Sequence, residues 1–211
     1  MSVLFLTESD VESLIDMPAS IDAVERAFAA VADGSAVNVP RARAKAPGFL
    51  LHSMSATAEY LGLAGWKNYT TTSQGARFHV AAYELDSGRM LALIQANRLG
   101  QLRTGAASGV ATRHLARPDA RVLGLLGTGW QAESQVECIR ATVPGVEELL
   151  VYCRDEDRRE AFAKAMGGVA VEYNKEAAEA DIVVVATTSK DPVLRGEWLQ
   201  PGALVCAIGA N

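Results

Sequence analysis

The chain has 211 residues, of which 49% are hydrophobic and 21% charged, so it is long enough for one large or two modest domains with buried cores. A net charge of −5 without a basic run argues against nucleic acid or an anionic membrane as the main partner. No apolar stretch reaches the ~18 residues of a membrane span and no signal peptide is recognisable, so we expect a cytoplasmic protein.

The amino-terminal part begins with two predicted helices. Thr7 is a suitable cap for a helix that runs to about Ser13, and Pro18 starts a second helix that Gly34 ends. Apolar residues recur in the second helix at helical spacing and are predicted to be core: Ile21, Val24, Phe28 and Val31.

An antiparallel meander is predicted next. Its strands cover residues 49–54, 61–71, 78–85 and 90–95. A helix rich in small residues follows from about Leu99 to Leu115, with Arg103 and Thr104 in its first turn. Arg117-Pro118-Asp119 then marks a junction, so we divide the chain into residues 1–117 and 118–211.

The most informative segment lies just after this junction. Residues 121–126 form an apolar run typical of an inner parallel strand, and Gly127-Thr128-Gly129 leads into a helix. Gly127 permits the tight turn, Gly129 lets a pyrophosphate approach the backbone, and Ala132 allows close packing of helix on strand. The amino end of the helix then faces the phosphate, which indicates a dinucleotide site.

The end of the second apolar run, residues 149–153, is where a Rossmann unit places its ribose-reading residue. NAD-preferring sites usually have an acid there, whereas this chain has Cys153 and Arg154, with Arg158 and Arg159 one turn later. Arginine suits a 2′-phosphate, so NADP(H) is favoured over NAD(H). This preference would not hold if the Asp155 side chain turned inward, or if the arginines only form a solvated helix face.

Further strands are predicted at residues 169–172, 182–186 and 203–208, with a helix over residues 156–166. The predicted fold class is α/β, an incomplete Rossmann-type doubly wound parallel sheet of five strands preceded by an α+β domain. Because such sheets normally continue to a sixth strand, we expect the chain to be truncated at its carboxyl end. The three cysteines are far apart and predict neither a disulfide framework nor a metal site.

Several motifs recur in a specific order along the chain. They are Pro40-Arg41, Gly65-Trp66-Lys67, Asp86-Ser87-Gly88, Arg103-Thr104-Gly105-Ala106-Ala107, Gly127 to Gln131, Ala186-Thr187 and Ile208-Gly209-Ala210. In this order they resemble the ornithine cyclodeaminase/mu-crystallin family over essentially the whole chain. The resemblance implies a substrate-binding and dimerisation domain (residues 1–117), an NAD(P)-binding domain (residues 118–211), a returning carboxy-terminal segment and a homodimer. The cofactor contacts expected are Thr104, Gly127, Thr128, Gly129, Trp130, Gln131, Arg154, Thr187 and Gly209.

Three cations are candidates for the substrate site. Arg41, Lys67 and Arg103 lie on or beside strands and at a helix start, where together they can clamp a carboxylate. The family resemblance assigns all three to the substrate carboxylate. Arg43 is a rival for Arg41, because the family's arginine can sit at either offset from the proline, and each cation taken alone can be an ordinary surface charge.

The chain departs at two positions from the ornithine cyclodeaminases of the family that it resembles. His52 stands where those enzymes have an acid that holds the distal amine, and Asn211 stands where they have a catalytic Asp. An amide cannot serve as a general base near neutral pH, so ornithine cyclodeamination is in doubt.

Three hypotheses follow. The first is an NADPH-dependent reductase of cyclic α-imino acids such as pyrroline- or piperideine-2-carboxylate, with Lys67 or His52 supplying a proton and Asn211 orienting the amine or a water. The second is an ornithine cyclodeaminase that uses NAD as an internal redox carrier. The third is a non-catalytic protein that binds NADPH and a small ligand, without nucleic-acid or membrane partners.

Overall fold

The computed structural model describes residues 2–209, and the chain divides into two compact units, Met1–Arg103 and Thr104–Asn211. The fold is mixed α/β, as predicted, with a parallel sheet in the second unit. The predicted division after residue 117 leaves helix α3 (Asn97–Leu115) undivided, whereas the compact units divide this helix after Arg103. Within residues 2–209 no helix is both long and apolar enough to cross a membrane.

The first unit is built on one sheet. Its described strands are β1 (Leu4–Leu6), β2 (Ala36–Asn38), β3 (Ala42–Ala46), β4 (Phe49–Ala58), β5 (Leu63–Thr72), β6 (Gly75–Glu84) and β7 (Met90–Gln95). They lie in the order β1-β7-β6-β5-β4-β2, with β3 also paired to β4. The predicted meander of β4 to β7 is confirmed, and β1 adds a parallel edge. The three-residue strands β1 and β2 were missed, because three residues are too few to show an alternating pattern.

Two capped helices accompany this sheet. Helix α1 (Glu8–Leu14) begins after Thr7, whose side chain and that of Asp10 cap each other's backbone N–H groups. Helix α2 (Met17–Asp33) ends at Gly34, which has a left-handed backbone with φ +86°.

The predicted core of α2 is only partly correct. Ile21 is fully buried, but Phe28 and Val31 are 52% and 50% exposed, so their assignment to the core is wrong. Helical periodicity identifies an apolar face, but it does not say whether the same chain covers all of that face.

The second unit contains the predicted five-stranded parallel sheet. The strands are β8 (Val122–Leu126), β9 (Glu148–Tyr152), β10 (Val169–Ala170), β11 (Ile182–Val185) and β12 (Leu204–Ala207). Besides α3, the helices are α4 (Trp130–Thr142), α5 (Glu156–Ala165) and the unpredicted five-residue α6 (Asn174–Ala178). The strand order is β10-β9-β8-β11-β12, so the winding reverses between β8 and β11. Ligands of such sheets bind outside the carboxyl ends of the strands at this reversal.

Candidate functional site

A row of side chains crosses four neighbouring strands on one face of the first unit's sheet. Arg43, His52, Tyr69 and Phe78 are directly opposite one another in β3, β4, β5 and β6. The His52 and Tyr69 rings stack with centroids 4.0 Å apart, and the Tyr69 and Phe78 rings stack at 4.6 Å. Paired residues in antiparallel strands share a face, so the register itself builds this stack.

The three predicted cations gather around Tyr69. The Arg41 guanidinium carbon lies 5.6 Å from the Tyr69 ring centroid, and Lys67 Nζ lies 5.7 Å from it and 6.0 Å from that of Phe78. Arg103, in the second turn of α3, is close enough to influence the protonation of Lys67 and to be influenced by Arg41 and Tyr69. Arg41 and Lys67 therefore lie beside the same ring, and Arg103 is near enough to act electrostatically on Lys67.

The same electrostatics distinguishes Arg41 from its rival. Arg41 acts on Lys67, Arg103 and His52, whereas the resolved effect of Arg43 is on His52. Arg41 is therefore the arginine of this pair whose charge acts on the other two cations.

The amine of Lys67 has a lower pKa than an ordinary lysine. Burial, followed by Arg103 and Arg41, lowers its pKa to about 8. Partial loss of water and the nearby Arg41 also lower the pKa of Arg103. Lys67 thus remains mostly protonated at pH 7 but gives up its proton far more readily than a solvated lysine.

His52 is held in its neutral form. Burial, Arg41 and Arg43 lower its pKa from the ordinary value of 6.5, and only 6% of the residue is exposed. Its Nε2 shares a 3.3 Å hydrogen bond with Thr71 Oγ1, and its Nδ1 has no protein partner among residues 2–209. These features make imidazolium acid catalysis by His52 unfavourable near neutral pH. The other predicted catalytic group, Asn211, lies outside the described residues.

Two aromatic members of the site were missed in the sequence. Tyr69 and Phe78 had the ordinary appearance of apolar strand residues. A signal was nevertheless present, because Tyr69 is two residues after Lys67 on one strand and so must share its face.

The glycine turn after β8 has the geometry that a pyrophosphate needs. Gly127 has φ +104°, and a Cβ there would lie 2.5 Å from the carbonyl oxygen of Ala186, so only glycine fits. Gly129 caps α4 with extended backbone, and a Cβ there would meet nothing closer than that same oxygen, at 3.9 Å. The buried Thr128 hydroxyl has no partner within residues 2–209. These residues fit the phosphates of a dinucleotide, at the amino end of a 13-residue helix.

The segment after β9 carries three arginines, and its first acid, Asp155, caps a helix. The Asp155 carboxylate accepts a 3.0 Å hydrogen bond from the backbone N–H of Arg158 and so caps α5. Arg158 Nη2 donates to the Thr128 carbonyl at 3.2 Å, which brings this guanidinium to the phosphate turn. Arg159 donates to the Cys153 carbonyl at 3.2 Å, while Arg154 is exposed.

The remaining predicted cofactor residues lie beyond β11 and β12, at the start of α4 and in α3. Thr187 and Gly209 line a cavity of about 230 Å³ beyond β11 and β12, together with Ser189 and Lys190. Trp130 is the first residue of α4 and is 49% exposed, and Gln131 follows it. Thr104 is the first residue of the second unit. Among residues 2–209, no group of three or more His, Cys, Asp or Glu side chains can hold a metal ion.

The sequence matches relatives of one family along its whole length. The model of the ornithine cyclodeaminase/mu-crystallin family matches residues 1–211. An alanine dehydrogenase of Archaeoglobus fulgidus is 35% identical over 100% of this chain and 68% of its own length. A delta(1)-pyrroline-2-carboxylate reductase of Bacillus cereus is 36% identical over 74% of this chain and 52% of its own length. The chain thus spans about half to two thirds of these relatives.

Solved structures give the same result. An archaeal alanine dehydrogenase dimer with bound NAD superposes with a TM-score of 0.91 and 31% identity, covering 97% of this chain and 67% of that one. Thermococcus litoralis delta(1)-pyrroline-2-carboxylate reductase, in complex with NADH and L-proline, superposes with a TM-score of 0.90 and 30% identity. The match covers 98% of this chain and 69% of that one. The chain therefore belongs to the ornithine cyclodeaminase/mu-crystallin family of nicotinamide-dependent oxidoreductases.

Proposed function

We propose that this chain belongs to an NADPH-dependent reductase that converts a cyclic α-imino acid, such as pyrroline- or piperideine-2-carboxylate, to the amino acid. The observation that carries the proposal is the cluster of Arg41, Lys67 and Arg103 around Tyr69, three cations without a paired carboxylate among residues 2–209. The names of the two relatives that reduce pyrroline-2-carboxylate point to the same substrate class.

The residues of the cluster would act by binding, orienting and proton transfer. Arg41 and Arg103 hold the carboxylate, which fixes the imine carbon in one position. A bound reduced nicotinamide would supply a hydride to this carbon, and the electron pair of the C=N bond would pass to the nitrogen. Lys67 Nζ–H, with its pKa lowered to about 8, gives the proton that the nitrogen takes up. Neutral His52 supports the Tyr69 ring and needs no proton-transfer role.

The proposed preference for NADP(H) rests on the residues beyond β9. Asp155 caps α5 through Oδ1 and lies two residues after Cys153, the position where an NAD site usually has its acid. Arg158 reaches the phosphate turn and Arg154 is exposed beside it, where either can meet a 2′-phosphate. The related alanine dehydrogenase and pyrroline-2-carboxylate reductase structures contain NAD and NADH, so cofactor choice must be measured for this protein itself.

We also propose that the full-length protein is a homodimer. Phe28 and Val31 leave an apolar part of α2 exposed, and the similar archaeal alanine dehydrogenase is a dimer.

The direct test is optical measurement of NADPH and NADH consumption by the full-length protein with pyrroline-2-carboxylate. We expect NADPH oxidation that depends on the imine, and kcat/KM at least about ten-fold higher for NADPH than for NADH. Ornithine with NAD serves as the control substrate, with ammonia as the readout. Ammonia from ornithine without imine reduction would contradict the reductase, and tight NADPH binding without turnover would indicate a binding protein.

The pH dependence tests the role of Lys67 separately. The protonated amine is the form that assists carboxylate binding and gives the proton, so kcat/KM is expected to fall as pH rises through about 8. Lys67→Arg is the matched variant, and its residual activity should show no such fall below about pH 10, because arginine stays charged. A wild-type profile that is flat from pH 7 to 9.5 would contradict this assignment.

A further inference from the structure

Helix α3 has no capping side chain directly before its first residue. That position is Ala96, whose methyl group cannot accept a hydrogen bond from the first N–H groups of the helix. Glu8, 89 residues before Asn97 in the chain, supplies the acceptor instead. Its Oε1 accepts from the backbone N–H of Asn97 at 2.7 Å, and its Oε2 accepts from that of Arg98 at 3.0 Å. One carboxylate thus binds the first two N–H groups of a 19-residue helix, where the helix dipole favours negative charge.

Further hydrogen bonds hold this junction together. The backbone N–H of Glu8 donates to Gln95 Oε1 at 3.0 Å, which ties the start of α1 to the end of β7. Asn97 Oδ1 accepts from the backbone N–H of Phe78 at 3.0 Å, and the Ala96 N–H donates to the Phe78 carbonyl at 2.9 Å. The start of α3 is therefore bound to α1 and to a member of the aromatic stack.

The same helix end determines where Arg103 lies. A Cβ built on Gly100 would lie 3.8 Å from the Phe78 ring, so this face of α3 is turned towards the aromatic stack. Arg103 follows Gly100 by three residues and so shares that face. It lies about 7.5 Å further along the helix axis than Arg98, since each residue rises about 1.5 Å. A tilt or rotation of the first turn would therefore move the Arg103 guanidinium relative to Lys67.

We propose that Glu8 is a positioning residue of the site: its carboxylate holds the amino end of α3 so that Arg103 stays beside Lys67 and binds the substrate carboxylate. This inference rests on the proposed reductase function and adds to it a residue that acts through Arg103 rather than on the substrate.

The protonation of Lys67 reports the position of Arg103. The charged and titratable groups beside Lys67 or beside its ring partner are Arg41, His52, Tyr69 and Arg103. Because Arg103 lowers the pKa of Lys67, displacing Arg103 should raise that pKa. Removing the Glu8 charge without any movement of α3 would act in the opposite direction, since a negative charge favours protonated lysine. A positioning role and a purely electrostatic role of Glu8 therefore predict opposite changes.

The first test measures the pKa of Lys67 without turnover, by competitive acetylation of the full-length protein with acetic anhydride and peptide mass spectrometry. In Glu8→Ala this pKa should rise above the wild-type value of about 8, so that acetylation of Lys67 at pH 7 slows at least about three-fold. Glu8→Gln, which keeps one oxygen acceptor, should change it in the same direction and carries the test if Glu8→Ala does not fold. Asp10→Ala is the matched control, because it removes an acid of the same helix whose carboxylate binds Thr7, and it should leave Lys67 labelling unchanged.

Steady-state kinetics with pyrroline- and piperideine-2-carboxylate tests the consequence for the reaction. In Glu8→Ala the KM for the imine should rise at least about ten-fold, as expected for losing one charge-assisted contact, and the fall of kcat/KM should move to higher pH. A lower or unchanged Lys67 pKa in the Glu8 variants, an equal change in Asp10→Ala, or an unchanged KM would overturn the positioning role and leave the reductase standing. If the Lys67 pKa rises as expected but the wild type reduces neither imine, the positioning of Arg103 stands and the proposed reductase fails.

Discussion

Replacing Lys67 with Met is expected to lower kcat for imine reduction at least about 100-fold, while the Kd for NADPH changes less than about two-fold. The loss follows because Lys67 supplies both positive charge and a proton at one position, and general acid catalysis alone contributes about 10²–10⁴-fold. Methionine keeps the length and apolar stem of lysine, so it can still pack beside Tyr69 and Phe78. Steady-state kinetics and a fluorescence titration of NADPH measure the two effects.

The matched variant is Lys45→Met, which also replaces a lysine with methionine on the same face of the sheet. Lys45 is exposed and belongs to neither the clamp nor the aromatic stack, so its replacement should leave kcat within about two-fold of the wild type. A Lys67→Met enzyme that retains normal turnover would remove Lys67 from the site.

The second large effect is expected for Gly129→Leu, which should raise the Kd for NADPH at least about 100-fold. Gly129 has φ −79° and ψ 178°, a backbone that any residue adopts, and a Cβ there meets no atom closer than 3.9 Å. The protein should therefore fold normally, while the leucine side chain fills the space through which a pyrophosphate approaches the backbone. NADPH titration and thermal unfolding of the cofactor-free protein test these two statements together.

Gly127→Ala is the contrasting variant, because it is expected to destabilise the fold. Gly127 has φ +104°, and the Cβ of an alanine there would lie 2.5 Å from the Ala186 carbonyl oxygen, so the substitution strains the turn. We expect this variant to unfold at a lower temperature, whereas Gly129→Leu should not. Normal NADPH affinity in Gly129→Leu would show that the turn is not the phosphate site.

The second unit was predictable because each of its signals is local. The run from Val122 to Leu126 is almost entirely buried, and the Gly127-Thr128-Gly129 motif is recognisable in the sequence. The contact that excludes a side chain at Gly127, with the Ala186 carbonyl, is visible only in the structure. Helix α6 was missed, because five residues show no helical period.

The first unit was less predictable because its site depends on register. Motifs identified Arg41, Lys67 and Arg103, but only strand pairing places Tyr69 between His52 and Phe78. The sequence favoured Arg41 but left Arg43 as an alternative, because the family's arginine can sit at either offset from the proline. The influence of Arg41 on the pKa of Lys67 supports the choice of Arg41.

Transfer of a labelled hydride tests the central claim most directly. The full-length protein is incubated with NADPH deuterated at C4 of the nicotinamide and with pyrroline-2-carboxylate, and the product is analysed by mass spectrometry and NMR. The account predicts proline with one deuterium at its α-carbon when the transferred position carries the label, and no label from the opposite C4 position. Unlabelled proline from both cofactor isotopomers, or no proline at all, would contradict it.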